Sequence, residues 1–369
     1  SAFGMGGVNA HVVVEEPPVR SGEGEASVPQ QAHLIKVTAP DQDAVRRIAS
    51  DYDDHLADLL DGEFTDFVRT ANVGRADHRC RVVLAVADRE SARKGLRAVA
   101  SGERAVAVVR NRSVPTAFVF TGQGSQHVGM GRSLYAAEPV YRRAIDECAD
   151  LVGGHVGVPL RELLFGDERG LLDRTEYAQV GIVSTQVALV RLLGAWGVVP
   201  DVAIGHSLGE LTAAWACGVF DLADLLRLAA VRGRLMQERP SGGAMAAVAG
   251  SVEETVRVLR EYPGVEVASY TSSEHVTVTG PVVEVEGLVE RLGAGRARRL
   301  RVSHAFHSVQ MEGVVAPFAE VVAGVRLGVP RVPLVNGLTG GWHTAQSATD
   351  PGVWAAQVRG SVRFGEGVG

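Results

Sequence analysis

The pentapeptide Gly205-His206-Ser207-Leu208-Gly209 constrains the fold of this chain more than any other stretch. The apolar-leaning residues 202–205 before it predict a short buried strand, and residues 208–216 predict a helix that ends at Gly218. A G-x-S-x-G sequence between a strand and a helix is a nucleophile elbow, in which the two glycines remove side chains that would clash. Ser207 then stands near the helix N-terminus, where unpaired N–H groups favour negative charge. This context favours a nucleophilic serine over a tight turn that merely contains one.

The bulk composition narrows the class of protein. A chain of 369 residues is too long for one ordinary core, so two or three domains are expected. With 46% hydrophobic residues and a net charge of −6, it is expected to be a soluble globular protein, and its charge indicates neither a nucleic-acid nor a membrane partner. No apolar run approaches the ~18 residues of a membrane span. Three distant cysteines without metal-binding spacing fit free thiols in a reducing cytosol, so we expect a cytoplasmic protein.

Two segments precede the elbow domain. Residues 1–18 form a glycine-rich turn and one strand, too little for a domain, and residues 19–30 have the composition of a flexible connector. From His33 to about Arg110 the pattern predicts strand, helix, helix, strand and helix, with scattered charges and no catalytic constellation. We interpret this part as a small α/β adaptor. The chain lacks a starting Met and ends without a closing element, so both ends are expected to be cuts in a longer protein.

A second glycine-rich loop, Thr121-Gly-Gln-Gly-Ser-Gln126, follows the predicted strand 117–120. No Gly-Lys-Ser/Thr follows, which argues against a phosphate-binding P-loop. The glycines instead let backbone N–H groups crowd one point, as an oxyanion hole requires. Helices then alternate with strands, which predicts an α/β sheet.

Arg232 lies in the middle of a buried helical stripe. At 100° per residue, Leu225, Leu228, Ala229, Leu235 and Met236 all fall within about 60° of it on the predicted helix 221–238. A buried guanidinium is costly unless it is paired. Its partner is either a carboxylate of the core or the carboxylate of a substrate gripped bidentately, and spacing does not decide between them.

A smaller unit of about residues 244–302 has the element order β-α-β-β-α-β, which predicts a ferredoxin-like insert. It leads to Ser303-His304-Ala305-Phe306-His307-Ser308, a loop with two histidines. Most histidines are surface residues, but a serine nucleophile needs a base, and a loop between a strand and a helix can present one.

Four motifs in this order resemble the malonyl-CoA:acyl carrier protein transacylase family. They are Gly-Gln-Gly-Ser-Gln around Gln123, Gly-His-Ser-Leu-Gly around Ser207, Arg-Gly-Arg-Leu-Met-Gln from Arg232, and His-Ala-Phe-His from His304. The chain looks like the acyltransferase domain of a type I polyketide synthase, because Trp354, Gln357, Arg359 and Val362-Arg363-Phe364 are similar to a late stretch of that family. Thr121 stands where the family usually has Pro, which should be tolerated. The family's C-terminal segment is absent, so a truncated or incompletely represented domain is expected.

The resemblance implies the fold and the domains. The fold class is α/β, a hydrolase-like parallel-sheet core with a ferredoxin-like small subdomain, preceded by a small α/β linker domain. Residues 1–18 look like the end of a ketosynthase, with His11 a structural residue, and residues 19–115 like the ketosynthase-to-acyltransferase linker. Residues 116–369 would be the acyltransferase domain. The implied partners are the ketosynthase domain of the same polypeptide and an acyl carrier protein domain.

The resemblance also implies a mechanism. Malonyl-CoA would place its carboxylate on Arg232, and His304 would take the proton of Ser207 as it attacks the thioester. The N–H groups of Leu208 and Gln123 would hold the oxyanion. The phosphopantetheine thiol of the carrier protein would then take the malonyl group in a ping-pong sequence, without a bound cofactor or metal.

Three more residues complete the expected site. Asn336 lies in the region expected to supply the backbone carbonyl that orients the histidine. His206, beside the substrate, is expected to support the elbow rather than to perform chemistry. The His-Ala-Phe-His loop looks like the malonyl-selective version, whereas Tyr-Ala-Ser-His marks methylmalonyl. Phe306 would fill the space of an α-methyl group, an exclusion worth only ~1–3 kcal/mol.

Alternatives stay open at this point. The same transfer could use methylmalonyl-CoA or another substituted malonyl-CoA. An α/β-hydrolase-type thioesterase is opposed by the buried Arg232, by the insert, and by the lack of an acidic strand end between Ser207 and His304. A non-catalytic docking module would leave the four motifs without a purpose.

Overall fold

A computed structural model describes residues 2–3, 9–10, 32–60, 62–109, 114–166, 170–302 and 304–369. The chain divides into two units, Ser1–Arg112 and Ser113–Gly369. His11 and the predicted connector lie outside the described residues. The assignments of residues 1–18 to a ketosynthase end and of residues 19–115 to a linker stay predictions.

The first unit is a small α/β structure. Its elements are β1 (Ala2–Phe3), β2 (Asn9–Ala10), β3 (His33–Ala39), α1 (Gln42–Asp58), α2 (Phe64–Val73), β4 (Cys80–Val86), α3 (Arg89–Ala100) and β5 (Ala107–Val108). Strands β3, β4 and β5 form an antiparallel sheet in that order. The strand-helix-helix-strand-helix pattern read from residue 33 onward is therefore confirmed. Alternating residues of the strands and the apolar stripes of α1 and α3 form its core.

The second unit contains the elbow. Its elements before the small subdomain are β6 (Ala117–Phe120), α4 (Arg132–Ala137), α5 (Pro139–Val152), α6 (Leu160–Phe165), a 3-10 turn (Leu171–Asp173), α7 (Thr175–Ala195), β7 (Val202–Gly205), α8 (Gly209–Ala216) and α9 (Leu222–Gln237). Strands β6 and β7 pair in parallel, and Ala203 of β7 makes a further parallel bridge to Leu334. The carboxyl ends of β6 and β7 deliver the two glycine-rich loops side by side, which is where ligands bind in α/β sheets.

Helix α7 is long and apolar enough to cross a membrane, by length and composition alone. However, 56% of its most apolar 18-residue window is buried inside the protein. It packs against α5 and α9, and its face carries the buried polar side chains of Gln179 and Gln186. We therefore interpret α7 as the core helix of the second unit.

The small subdomain, residues 243–302, interrupts the second unit. It consists of β8 (Gly243–Ala249), α10 (Val252–Leu259), β9 (Glu266–Ser272), β10 (His275–Pro281), α11 (Val282–Leu292) and β11 (Ala297–Arg299). The four strands form an antiparallel sheet in the order β11-β8-β10-β9. This is the strand order of a ferredoxin-like fold, so the prediction of the insert is confirmed.

After the small subdomain the chain returns to the larger core. A 3-10 turn (Val309–Met311) is followed by α12 (Glu312–Ala323), α13 (Ala345–Ala348), α14 (Pro351–Ala356) and α15 (Phe364–Val368). The stretch before α15 runs beside β9, since Val362 makes a parallel bridge to Ser269 and its carbonyl accepts the N–H of Tyr270. This last part of the chain therefore joins the core to the small subdomain.

Candidate active site

The elbow has the backbone geometry that its sequence predicts. Ser207 adopts a left-handed conformation with φ of 52°, which is uncommon for a residue other than glycine. A Cβ atom on Gly205 would lie 2.1 Å from the backbone nitrogen of Glu210, and one on Gly209 would lie 2.3 Å from the carbonyl oxygen of Phe120. Only glycine fits at either position: Gly205 lets α8 fold back close to the end of β7, and Gly209 lets the start of α8 lie against β6.

His307 is the histidine that meets the nucleophile. Its Nε2 lies 2.7 Å from the Ser207 Oγ, and its Nδ1 lies 2.8 Å from the carbonyl oxygen of Gly360. A carbonyl oxygen can only accept, so Nδ1 carries the proton and Nε2 is left to accept from the serine hydroxyl. His307 itself has a positive φ of 57°, which turns its ring out of the loop toward the elbow.

The expectation that His304 meets Ser207 is wrong. His304 is buried, and its Nε2 lies 3.0 Å from the carbonyl oxygen of Arg239. Its ring stacks on Phe306 at 6.0 Å between centroids. The two histidines are three residues apart, and the left-handed turn at His307 sends only the second toward the serine. The family motifs held a signal for this, because the last histidine is common to His-Ala-Phe-His and Tyr-Ala-Ser-His, whereas the first histidine is not.

Asn336 does not orient the histidine either. The carbonyl that does so belongs to Gly360, between the late Gln-x-Arg and Val-Arg-Phe stretches. The side-chain oxygen of Asn336 instead accepts the N–H of Leu338 at 2.9 Å within its own turn. The prediction that a backbone carbonyl orients the histidine is right, but the prediction that this carbonyl lies near Asn336 is wrong.

Arg232 is buried, 1% exposed, and points at the nucleophile. Its Nη2 donates to the Ser207 Oγ at 3.2 Å and to the Gln357 Oε1 at 3.3 Å, and its Nη1 donates to the Gln179 Oε1 at 2.9 Å. Its Nε has no hydrogen-bond partner among the described residues. Within the same residues, no carboxylate forms an ion pair with it. The structure therefore does not show the internal salt bridge, which was one of the two interpretations of the buried arginine.

Burial sets the charge states at the site. Desolvation, together with the positive charge of Arg232, lowers the pKa of His307 to about 3, so the imidazole is neutral near pH 7 and able to accept a proton. Desolvation also lowers the pKa of Arg232 to about 10, which leaves the guanidinium charged. The pair thus combines a neutral base with a fixed cation, both within hydrogen-bond distance of one hydroxyl.

The loop of Gln123 lies against the elbow. A Cβ atom on Gly122 would lie 2.7 Å from the carbonyl oxygen of His206, so the loop backbone approaches the turn closely. The side chain of Gln123 donates to the Thr175 Oγ1 at 3.2 Å. Leu208 precedes the first residue of α8, where helix N–H groups have no intrahelical acceptor. Leu208 follows Ser207 directly, and the loop of Gln123 contacts the neighbouring His206, so the oxyanion-hole role of both residues stays a prediction.

The side chains of His206 and Phe306 contact residues other than Ser207. The Nε2 of His206 pairs with the Ser269 Oγ of β9 at 3.0 Å, which ties the elbow to the small subdomain, and burial lowers the pKa of the ring. Phe306 is buried in the main core and stacks on His304. A cavity of about 460 Å³ is lined by Gln123, Asp173 and residues 299–302.

Catalysis by a metal ion or by a cysteine has less support in the described ranges. No group of three or more His, Cys, Asp or Glu side chains there could hold a metal ion. The cysteines are buried, and burial raises the pKa of Cys148 to about 12 and that of Cys217 to about 11. Thiolates at these positions would be scarce near pH 7, so neither competes with Ser207 as a nucleophile.

Sequence reasoning missed three residues that hydrogen-bond to Arg232 or His307 from distant parts of the chain. Gln179 of α7 and Gln357 after α14 both accept from Arg232, and Gly360 orients His307. The resemblance had placed Gln357 in a family motif but gave it no role. No local pattern marks these contacts, because each joins residues more than fifty positions apart.

Known protein families and individual proteins match most of the chain. The acyl transferase domain family matches residues 117–369. The phenolphthiocerol synthesis polyketide synthase type I Pks15/1 of Mycobacterium marinum is 37% identical over 382 residues, covering 99% of this chain, which spans only 18% of that relative's length.

The solved structures that are similar to this one include an acyltransferase domain and a transacylase. The acyltransferase domain of SpnD, in complex with 2-(pent-4-yn-1-yl)malonyl, has a TM-score of 0.81 and 33% identity, covering 92% of this chain and 81% of that one. The malonyl-CoA:acyl carrier protein transacylase of Xanthomonas oryzae has a TM-score of 0.63 and 33% identity, covering 68% of this chain and 82% of that one.

Proposed function

Because the chain belongs to the acyl transferase domain family, as found in polyketide synthases, we propose that it transfers malonyl groups from malonyl-CoA to an acyl carrier protein. The malonyl group would be held as an ester on Ser207 and released to the phosphopantetheine thiol of the carrier. The proposal uses no bound cofactor. A ketosynthase domain of the same polypeptide would consume the product.

The observation that carries the malonyl assignment is the buried Arg232. Its guanidinium touches the nucleophile, retains an unpartnered Nε and has no carboxylate partner among the described residues. A buried cation left unpaired is costly, so the site is complementary to a substrate that brings its own carboxylate. A malonyl thioester carries such a carboxylate, two carbons away from the carbonyl that Ser207 attacks.

The first half-reaction uses His307 as the base. The Ser207 oxygen forms a bond to the thioester carbon while its proton passes to the Nε2 of His307, which the Gly360 carbonyl holds in the receptive tautomer. The N–H groups of Leu208 and Gln123 stabilise the oxyanion. The carbon–sulfur bond then breaks, the proton passes from His307 to the departing CoA sulfur, and malonyl-Ser207 remains.

The second half-reaction reverses these roles. The phosphopantetheine thiol of the carrier gives its proton to His307, and its sulfur attacks the serine ester. The ester bond breaks, and His307 returns the proton to the Ser207 oxygen. The cavity lined by Gln123 would hold the long pantetheine arm that both substrates share.

Mass spectrometry of the intact protein tests this function. Incubation with malonyl-CoA is expected to add one malonyl unit, which maps to the peptide that contains Ser207 and is lost when a phosphopantetheinylated carrier protein is added. A thioesterase would release free malonate without a lasting adduct, and a docking module would remain unmodified. Either of these two results, or an adduct that maps to a cysteine, contradicts the proposal.

The choice of malonyl over methylmalonyl rests on Phe306. If its ring excludes an α-branch, Phe306→Ser is expected to raise the ratio of kcat/KM for methylmalonyl-CoA to that for malonyl-CoA by at least about tenfold. The ceiling is about 200-fold, since one methyl group is worth no more. Competition between the two thioesters in one tube measures the ratio.

A packing role for Phe306 predicts a different result. The ring lies between His304 and the core, immediately before His307. If it only supports the loop, the substitution would misplace His307 and slow both substrates equally. Equal losses would rule out Phe306 as the selector.

A further inference from the structure

Glu210 is a buried carboxylate that the proposed transfer does not use. It lies in the first turn of α8, three residues after Ser207, and is 2% exposed. Its Oε1 accepts the N–H of Gly337 at 2.9 Å and pairs with the His343 Nε2 at 3.1 Å, and its Oε2 accepts from the Gln357 Nε2 at 2.9 Å. Burying a carboxylate costs much free energy unless hydrogen bonds of this kind satisfy its oxygens.

The amide of Gln357 connects this carboxylate to the reacting groups. Its nitrogen donates to the Glu210 Oε2 and, at 2.5 Å, to the carbonyl oxygen of Ser207, while its oxygen accepts from the Arg232 Nη2 at 3.3 Å. Only one orientation of the amide satisfies all three partners. The flipped amide would set its oxygen against two acceptors and its nitrogen against the guanidinium donor.

His343 holds the carboxylate from the far side. Its side chain is fully buried and stacks on Trp354, with 4.9 Å between ring centroids and 13° between planes. Its Nδ1 lies 3.2 Å from the Ser347 Oγ at α13. Both nitrogens of the ring thus have partners, which fixes the Nε2 that faces Glu210.

We propose that Glu210, held by His343, is a positioning residue for carboxylate recognition, acting through Gln357 on both Arg232 and Ser207. The proposal rests on the malonyl transfer proposed above. Glu210 supplies negative charge near Arg232 without touching it, because the amide of Gln357 lies between them. The guanidinium is thereby aimed at the nucleophile while it keeps donors for the carboxylate of the substrate.

The substitution Glu210→Gln tests the proposal. A glutamine offers one oxygen to the three donors that the carboxylate satisfies, and its own NH2 group opposes that of Gln357. We expect KM for malonyl-CoA to rise and its kcat/KM to fall at least about tenfold, the scale of one hydrogen bond to a charged group. The kcat/KM for acetyl-CoA, which has no carboxylate for Arg232, should fall less. The ratio of kcat/KM for malonyl-CoA to that for acetyl-CoA should therefore fall.

A merely structural role would lower kcat for both substrates by the same factor, at unchanged KM and unchanged ratio, and that result would overturn the proposal. Glu147→Gln is the matched control, since it makes the same chemical change at an ion pair with Arg191 on the exposed side of α5. It should leave both KM values and the ratio unchanged.

A second variant covers the case in which Glu210→Gln does not fold. His343→Phe keeps a flat ring against Trp354 but removes the donor to Glu210. The ratio should again fall, by a smaller factor, and an unchanged ratio would overturn the proposal. Wild-type protein that takes up no malonyl group would instead refute the proposed function itself, so the two failures are distinguishable.

Discussion

His307→Gln is expected to slow the malonylation of Ser207 by about 10²- to 10⁴-fold, the usual contribution of a positioned acid–base group. The glutamine side chain has no ring nitrogen to take the proton that the Nε2 of His307 accepts at 2.7 Å. The Gly360 carbonyl would lose the imidazole that it orients. The rate of appearance of the malonyl-enzyme, followed by quenched-flow mass spectrometry, measures the effect.

His304→Gln is the matched control for this prediction. It changes the other histidine of the same loop and keeps a donor for the carbonyl oxygen of Arg239. Because His304 does not contact Ser207 in this geometry, the rate per folded molecule should stay within a few fold of wild type. If the His304 variant is the slow one and the His307 variant is not, the geometric assignment of the base is wrong.

Arg232→Ala is expected to lower kcat/KM for malonyl-CoA by about 10²- to 10³-fold, while acetyl-CoA loses little or gains. Breaking a buried charge pair by removing one partner costs about 3–5 kcal/mol, because the remaining charge is left uncompensated. In the Arg232→Ala variant, the charge left unpaired is the carboxylate of the bound malonyl group. In the wild-type protein bound to acetyl-CoA, the charge left unpaired is the guanidinium of Arg232, so the substitution removes that cost and favours acetyl transfer.

The ratio of the two kcat/KM values, measured in competition, is the decisive quantity for Arg232. Arg234→Ala serves as the control, since Arg234 lies on the exposed face of the same helix and its loss should leave the ratio unchanged. A ratio that also stays unchanged in Arg232→Ala would show that Arg232 serves the fold of the core and not the recognition of a carboxylate.

Local sequence was enough to predict the elbow and the buried arginine. The elbow was recognised from its own five residues, and a Cβ atom at Gly205 would collide with the turn that follows it. A Cβ atom at Gly209 would instead collide with Phe120 of β6, a contact that only the structure shows. Arg232 was found by helical periodicity, and burial of Leu225, Leu228 and Met236 around it confirms that stripe. Strict local sterics and a regular helical period are properties that a sequence carries by itself.

The partner of the nucleophile could not be obtained in that way. His304 and His307 share one short loop, and nothing in their spacing shows which ring reaches Ser207, a hundred residues earlier in the chain. The left-handed turn at His307 and the carbonyl of Gly360 decide it. Comparing the two versions of the family motif would have favoured His307, because only that histidine is common to both.

The sequence by itself therefore predicted the elbow with its candidate nucleophile, the burial of Arg232 and the order of the elements, each from neighbours along the chain. Only the tertiary structure decided which histidine faces the serine, which carbonyl orients it, and that Glu210, Gln357 and Arg232 form one connected set. The physical reason is that these contacts join helix ends and loops far apart in sequence, and buried polar groups must find their partners wherever packing places them.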